Sequence, residues 1–216
     1  MLNAGFEEEM KKILSLLPKK RQNLLFSATL SVKLEAINKL ILDKPTVLKI
    51  ESPDQDLSLI KQTAYGVPDE KKGVLLRKLI REKEMKQVLI FVASGFKADH
   101  VAHKLRKNGI TAEAIHGKKS QGGRTHVLQQ FKRGDITALV ATDILSRGID
   151  IEFLPFVINY ELPRSPKDFV HRIGRTGRAE NPGEALTLFS PLEEHHFKVI
   201  QKKMKLFVDT IMVDDI

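Results

Sequence analysis

Short apolar, β-branched runs alternate with helical stretches along most of this chain, and that alternation constrains the fold more than any other feature. Leu24-Leu25-Phe26, Thr46–Ile50, Val88–Val92, Ala138–Ala141, Phe156–Tyr160 and Ala185–Phe189 read as buried strands. Between them lie helical stretches. Leu75, Leu76, Leu79 and Ile80 form one apolar stripe behind Asp69, which reads as an N-cap. Others run over 96–107, 121–132 and 192–205. Near-continuous apolar strands separated by helices predict an α/β fold, a parallel sheet with helices on both faces. Ligands gather at the carboxyl ends of strands in such sheets, so the residues that follow each run are the first candidates for function.

Composition excludes several alternatives. The 216 residues contain no Cys, so disulfides, thiolate metal sites and Cys nucleophiles are ruled out. No apolar run approaches the roughly 20 residues that span a bilayer. The opening Met-Leu-Asn-Ala-Gly-Phe-Glu-Glu-Glu has neither a basic segment nor a long apolar one, so a cytoplasmic location is expected. The net charge of +9 suits a polyanionic partner. Ser52-Pro53-Asp54-Gln55-Asp56 is the best linker candidate.

Four clusters carry candidate chemistry. In the first, Ser165, Pro166 and Asp168 start a helix with a cap, a Pro at its first position and a first-turn carboxylate. That helix is expected to end at Gly174, which puts His171 and Arg172 on its last turn and Arg175 and Arg178 on a glycine-bearing loop. Two such guanidinium groups suit a polyphosphate; a solvated basic loop or a generic RNA-binding patch is the alternative. In the second, Thr142 follows a strand and can donate to phosphate, while Asp150 can accept from a ribose hydroxyl. Alternatively Thr142 and Asp143 merely cap a turn and Asp150 is solvated.

The third cluster runs from His116 and Gly117 to Arg124, where a glycine after a strand and a Ser before a helix let backbone N–H groups approach phosphate. Between Lys104 and Arg133 eight Lys or Arg face a single acid, Glu113, a concentrated positive field for an anionic polymer or a solvated helix face. Gly122 and Gly123 weaken the first turn of that helix, at about 1 kcal/mol each relative to Ala, which suggests close backbone approach. The fourth is Ser27-Ala28-Thr29, two hydroxyls after a strand that either link a site to a neighbouring domain or form a turn.

Taken together, the order and spacing of these clusters resemble the DEAD-box RNA helicase family. Ser27-Ala28-Thr29 resembles its motif III and Val88–Val92 its motif IV. Gln121 with Arg124 resembles the Gln-x-x-Arg element, Thr142–Asp150 motif V, and His171–Arg178 motif VI. His171 favours DEAD-box over DEAH-type relatives, and Tyr160-Glu161-Leu162-Pro163 suggests the bacterial RhlE-like branch. The resemblance covers nearly the whole chain.

It implies a RecA-like domain that closes with a partner domain over ATP and RNA. Arg175 and Arg178 match arginine fingers, and Asp150 the ribose contact. Ser27, Thr29, Arg147 and His171 match residues that couple the two domains. Ser94, Gly117, Arg124 and Thr142 match contacts to the RNA backbone, so recognition would be sequence-nonspecific and duplex opening would come from bending one strand. No residue is assigned to a metal.

The chain contains no Gly-x-x-x-x-Gly-Lys-Ser/Thr loop and no Asp-Glu-Ala-Asp. ATP and Mg²⁺ would therefore be bound only with the family's N-terminal RecA-like domain, and the chain alone is expected to be inactive as an ATPase. Its start resembles the stretch just after the family's Mg²⁺ motif. Residues 1–51 are then expected to be the remnant of the first, ATP-binding domain, 52–56 a linker, and 57–216 the second RecA-like domain. The function implied is the C-terminal part of an ATP-dependent RNA helicase; a non-catalytic RNA-binding fragment and a truncated reading frame are the alternatives. Residues 1–51 carry two apolar stripes, Met10, Ile13, Leu14, Leu17 and Leu34, Ile37, Leu40, Ile41, which are expected to lack partner strands.

Overall fold

The protein is described by a computed structural model, which covers residues 7–18, 20–26, 42, 45–48, 57–143, 153–177 and 182–213. The chain divides into two compact units, Met1–Ser52 and Pro53–Ile216. Ser27, Thr29, Arg147, Asp150 and Arg178 lie outside the described residues, as does the stripe of Leu34, Ile37, Leu40 and Ile41.

In the first unit, helix α1 spans Glu7–Leu16. Leu24–Phe26 and Thr46–Leu48, expected as strands, have no strand structure. A strand exists only through hydrogen bonds to a neighbour, and no described residue pairs with either segment. Apolar side chains accordingly stay exposed: Leu16, Leu24, Phe26 and Leu48 are each at least 70% accessible. Removing residues 1–56 is therefore expected to raise the concentration at which the protein remains monodisperse in light scattering. Equal self-association with and without them would show that these side chains are harmless.

The second unit is one seven-stranded parallel sheet in the order β3-β4-β2-β5-β6-β1-β7. Its strands are β1 Ile60–Gly66, β2 Val88–Phe91, β3 Ala112–Ile115, β4 Ala138–Ala141, β5 Phe156–Asn159, β6 Gly183–Phe189 and β7 Asp209–Met212. The helices are α2 Asp69–Glu82, α3 Gly95–Lys107, α4 Gln121–Arg133, α5 Pro166–Ile173 and α6 Glu194–Met204, the last preceded by a 3₁₀ turn over Pro191–Glu193.

The period of two along each strand sorts the core into faces. Val88, Ile90, Val140, Ile158, Leu186 and Leu188 pack with α2 (Leu75, Leu76, Leu79, Ile80) and α3 (Ala98, Val101, Ala102, Leu105). Leu89, Phe91, Leu139 and Val157 point the other way, onto Val127 and Phe131 of α4. Ala64, Ala185 and Phe189 meet Phe169 and Ile173 of α5 and Phe197 and Ile200 of α6. This is the doubly covered parallel sheet that the apolar runs predict.

Helix starts follow local chemistry. The Ser94, Ser120 and Ser165 hydroxyls accept from the N–H of the third residue on, and Pro166 holds the first position of α5. Two expectations need correction. Asp69 is not the cap of α2: Pro68 holds that position, its carbonyl accepting from Lys71 and Lys72, and Asp69 instead pairs with Lys72 at 2.8 Å. Gly174 ends α5, but at φ −67°, a conformation open to any residue; the left-handed position is Gly177, at φ +63°.

Candidate functional site

Three strand ends converge on a cavity. Strands β3, β4 and β2 are neighbours, so the residues after Ile115, Ala141 and Phe91 lie side by side at the carboxyl edge of the sheet. A cavity of about 400 Å³ opens there, lined among others by Ser94, Gly117, Lys118, Thr142 and Arg164. Ser94, Gly117 and Thr142, separated by up to 48 positions in the chain, are thus brought to one site. A Cβ at Gly117 would meet no atom within 4 Å, so the backbone there is open to close approach. The same is true of Gly122; at Gly123 a Cβ would crowd the Ser120 cap at 3.2 Å, so that glycine serves the helix start. Arg124 lies on the first turn of α4, half-buried with its Nε enclosed and unpartnered, and does not line the cavity.

A buried arginine, not singled out from sequence, frames this edge. Arg172 is 1% exposed. Its Nε and Nη2 donate to the two carboxylate oxygens of Asp143 at 2.6 and 2.8 Å, a bidentate pair. Its Nη1 donates to the Glu161 carbonyl at 2.7 Å and to Asn159 Oδ1 at 3.2 Å, and the guanidinium lies 5.0 Å from the Phe91 ring centre. The Glu161 carboxylate in turn accepts from the Ala93 N–H at 2.7 Å. One side chain therefore ties together the ends of β2, β4 and β5. Asp143, whose sequence reading allowed a turn cap, is the partly exposed anchor of that pair, its side chain 32% accessible. Nothing in the string His171-Arg172 marks the second residue as interior; its placement follows from α5 packing on the sheet.

His116 is a second such residue. Its Nε2 meets Asp99 Oδ2 at 2.9 Å, and Lys119 reaches the other Asp99 oxygen at 3.4 Å. Gly95 packs on its ring, where a Cβ would come within 2.8 Å of Nδ1. A side chain at position 95 would displace that ring. Burial pushes the Tyr160 phenol up to about 12, and raises that of Tyr65. Both stay neutral at physiological pH.

Arg175 sits at the other edge. Its carbonyl accepts from the Leu154 N–H at 3.1 Å, and the fully buried Thr176 hydroxyl donates to the Leu154 carbonyl. Leu154 precedes β5, and a Cβ on Gly177 would overlap Ile60 at the start of β1. The loop carrying Arg175 is therefore fixed at the amino ends of the strands, roughly 20 Å along β5 from Glu161. His171, half-buried, lies one turn earlier on α5. Ser94, Gly117 and Thr142 lie just beyond strand ends, whereas Arg175 belongs to the opposite edge.

A half-buried guanidinium on a pinned loop is suited to a phosphate group. Among the described residues no group of three or more His, Asp or Glu could hold a metal ion. Among them, too, no helix is long and apolar enough to cross a membrane.

Comparison with known proteins gives consistent matches. The helicase conserved C-terminal domain family matches residues 71–180. The DEAD-box ATP-dependent RNA helicase CshA of Geobacillus kaustophilus is 38% identical over 205 residues, 95% of this chain and 44% of that protein. The Bacillus subtilis CshA is 36% identical, over 97% of this chain and 42% of its own length. This chain thus spans less than half the length of these curated relatives. Among solved structures, a DEAD box protein from Methanococcus jannaschii aligns with TM-score 0.68 and 36% identity, over 98% of this chain and 57% of that one. Saccharomyces cerevisiae Dbp5 bound to RNA and ADP BeF3 aligns with TM-score 0.80 and 27% identity, over 98% and 56%.

Proposed function

Because the chain belongs to the DEAD-box ATP-dependent RNA helicase family, as the part that carries the helicase conserved C-terminal domain, we propose that it supplies one wall of an RNA-backbone site and the arginine fingers of an ATP site. The observation that supports this reading best is the separation of Ser94, Gly117 and Thr142, at the carboxyl edge of the sheet, from Arg175 at the amino edge. A single-stranded RNA backbone would lie across the first edge, with hydroxyl and backbone N–H donors on its phosphates and Arg124 beside them. The second edge, with Arg175, would face the γ-phosphate held by the N-terminal RecA-like domain; Arg178 would be the other finger and Asp150 the ribose contact. Ser27, Thr29, Arg147 and His171 would transmit closure between the domains.

When bound, ATP with its Mg²⁺ supplies the phosphoryl chemistry. The part of this chain is to orient charge: Arg175 is held by Thr176 and Gly177 where it can stabilise a transferring phosphoryl group. We assign residues 1–51 to the end of the ATP-binding domain, 52–56 to the linker and 57–216 to the second domain, and place the protein in the cytoplasm. On this reading the chain alone binds RNA, opens duplexes only with its missing partner domain, and turns over no ATP by itself. Its relatives bear on the family, and the RhlE-like branch stays an expectation.

The test is RNA binding by this chain as a function of salt. Arg124→Ala should weaken binding by roughly 1.5–3 kcal/mol, the worth of a charge-assisted hydrogen bond. It should also flatten the slope of log affinity against log salt by about 0.7. An unchanged slope would mean that Arg124 makes no phosphate contact. ATP turnover by the chain alone with RNA would overturn the assignment of hydrolysis to a two-domain site. RNA binding that is unaffected by any addition of the partner domain would favour the non-catalytic fragment.

A further inference from the structure

Helix α3 buries Ala98, Val101, Ala102 and Leu105 against the sheet. Its outer face carries Phe96, His100, His103, Lys104 and Lys107, all exposed and spaced by three or four residues, so they stand one above another. Phe96 is 83% exposed, and its ring stacks on His100 with centroids 6.4 Å apart and planes 18° from parallel. Basic residues in the last turn complement the helix dipole, which accounts for Lys104, Arg106 and Lys107. That argument does not reach the aromatic pair at the other end of the helix, nor His103. The acid on this helix, Asp99, is engaged by His116 and Lys119.

The face begins one residue beyond Gly95, beside Ser94 and the cavity at the strand ends, and runs about 17 Å along the helix to Lys107. It is flanked by a groove of about 270 Å³ between α3 and α2, lined by Lys97, His100 and Lys104 of α3 and by Asp69, Glu70 and Arg77 of α2. Lys97 lies 5.7 Å from the centre of the Tyr160 ring in that groove. Aromatic surface interleaved with cations is the composition that binds single strands without sequence preference.

We propose that this face of α3 is an auxiliary track for single-stranded RNA. It continues the path of the strand beyond the Ser94–Gly117–Thr142 cavity, with bases stacked on Phe96 and His100 and phosphates on Lys104 and Lys107. The inference rests on the RNA-backbone reading of that cavity and extends it.

The experiment compares two oligouridylates, of about 5 and about 12 nucleotides, within the range of single-strand site sizes. The unaltered chain should bind the longer one more tightly and with a steeper salt slope. Phe96→Ala with His100→Ala should cost roughly tenfold in affinity for the longer strand, the order of one lost stack. Lys104→Gln with Lys107→Gln should lower its salt slope by about 0.7 per charge removed. Affinity for the short strand and the melting temperature should not change, because all four side chains are exposed.

The proposal fails if the unaltered chain binds both lengths equally, or if the variants lose both lengths alike. It also fails if polyglutamate, rather than RNA length, is what the variants cease to sense, which would make an acidic protein segment the occupant. Tight binding of the longer strand with Arg124→Ala and Thr142→Ala without effect would keep the track and remove the cavity reading. Loss of binding at both lengths in the unaltered chain would remove both.

Discussion

Arg175→Ala is expected to lower ATP turnover by about 10³–10⁵-fold in this chain assembled with an ATP-binding domain of its family, the scale on which an arginine finger acts. The affinity of the chain for RNA should stay within about twofold, because the two sites are far enough apart to behave independently. The physical basis is the placement of the loop. Leu154 receives the Thr176 hydroxyl and donates to the Arg175 carbonyl at the amino ends of the strands, whereas Thr142 and Ser94 line the cavity at the carboxyl ends. Turnover and equilibrium RNA binding measured on the same variant decide the matter. If RNA binding collapses with turnover, Arg175 is an RNA contact and the two-edge division of labour is wrong.

Arg172→Met is expected to destabilise the second unit by about 3 kcal/mol, the low end of the cost of breaking a buried ion pair, because the Asp143 side chain stays 32% exposed and can rehydrate. For a unit of this size that lowers the melting temperature on the order of 10 °C. Met keeps much of the volume, so the loss isolates the guanidinium bonds to Asp143, Glu161 and Asn159. Arg172→Lys should recover only a part, because one ammonium cannot reproduce the bidentate pair and the carbonyl bond together. RNA affinity should fall as well, since Asp143 adjoins Thr142 and Glu161 holds the Ala93 N–H beside Ser94. A fall of a degree or two in calorimetry would mean that the pair is worth no more than an exposed one.

Much of the fold was legible in the sequence where it is local or strongly apolar. The run Ala138–Ala141 is β4 with the bounds expected, and Val88–Val92 and Phe156–Tyr160 are β2 and β5 less one residue each. The cap formed by Ser165, Pro166 and Asp168 is also as read. One strand escaped and two were legible only in part. β1 contains Lys61, Gln62 and Thr63, and becomes a strand because β6 and β7 bond it on both sides. β3 is four residues long and includes Glu113. β7 is exposed along its whole length, so it has no burial pattern to read; only its pairing with β1 defines it.

Of the candidate site, Ser94, Gly117 and Thr142 could be named in sequence because each follows a strand, and the order of adjacent strands then gathers them. Arg172, Asp143 and His116 could not be given their places, since burial of a charged side chain depends on partners 29, 13 or 17 positions away. The sequence by itself determined the layered α/β plan, the cap at Ser165 and the family, for these rest on periodicity and on motifs whose spacing is written in the chain. The tertiary structure alone decided that the basic groups divide between the two edges of the sheet and that one arginine is an interior brace. A helix that starts at a strand's carboxyl end runs back along the sheet, so residues close in sequence are carried to opposite edges, and no local pattern records how far.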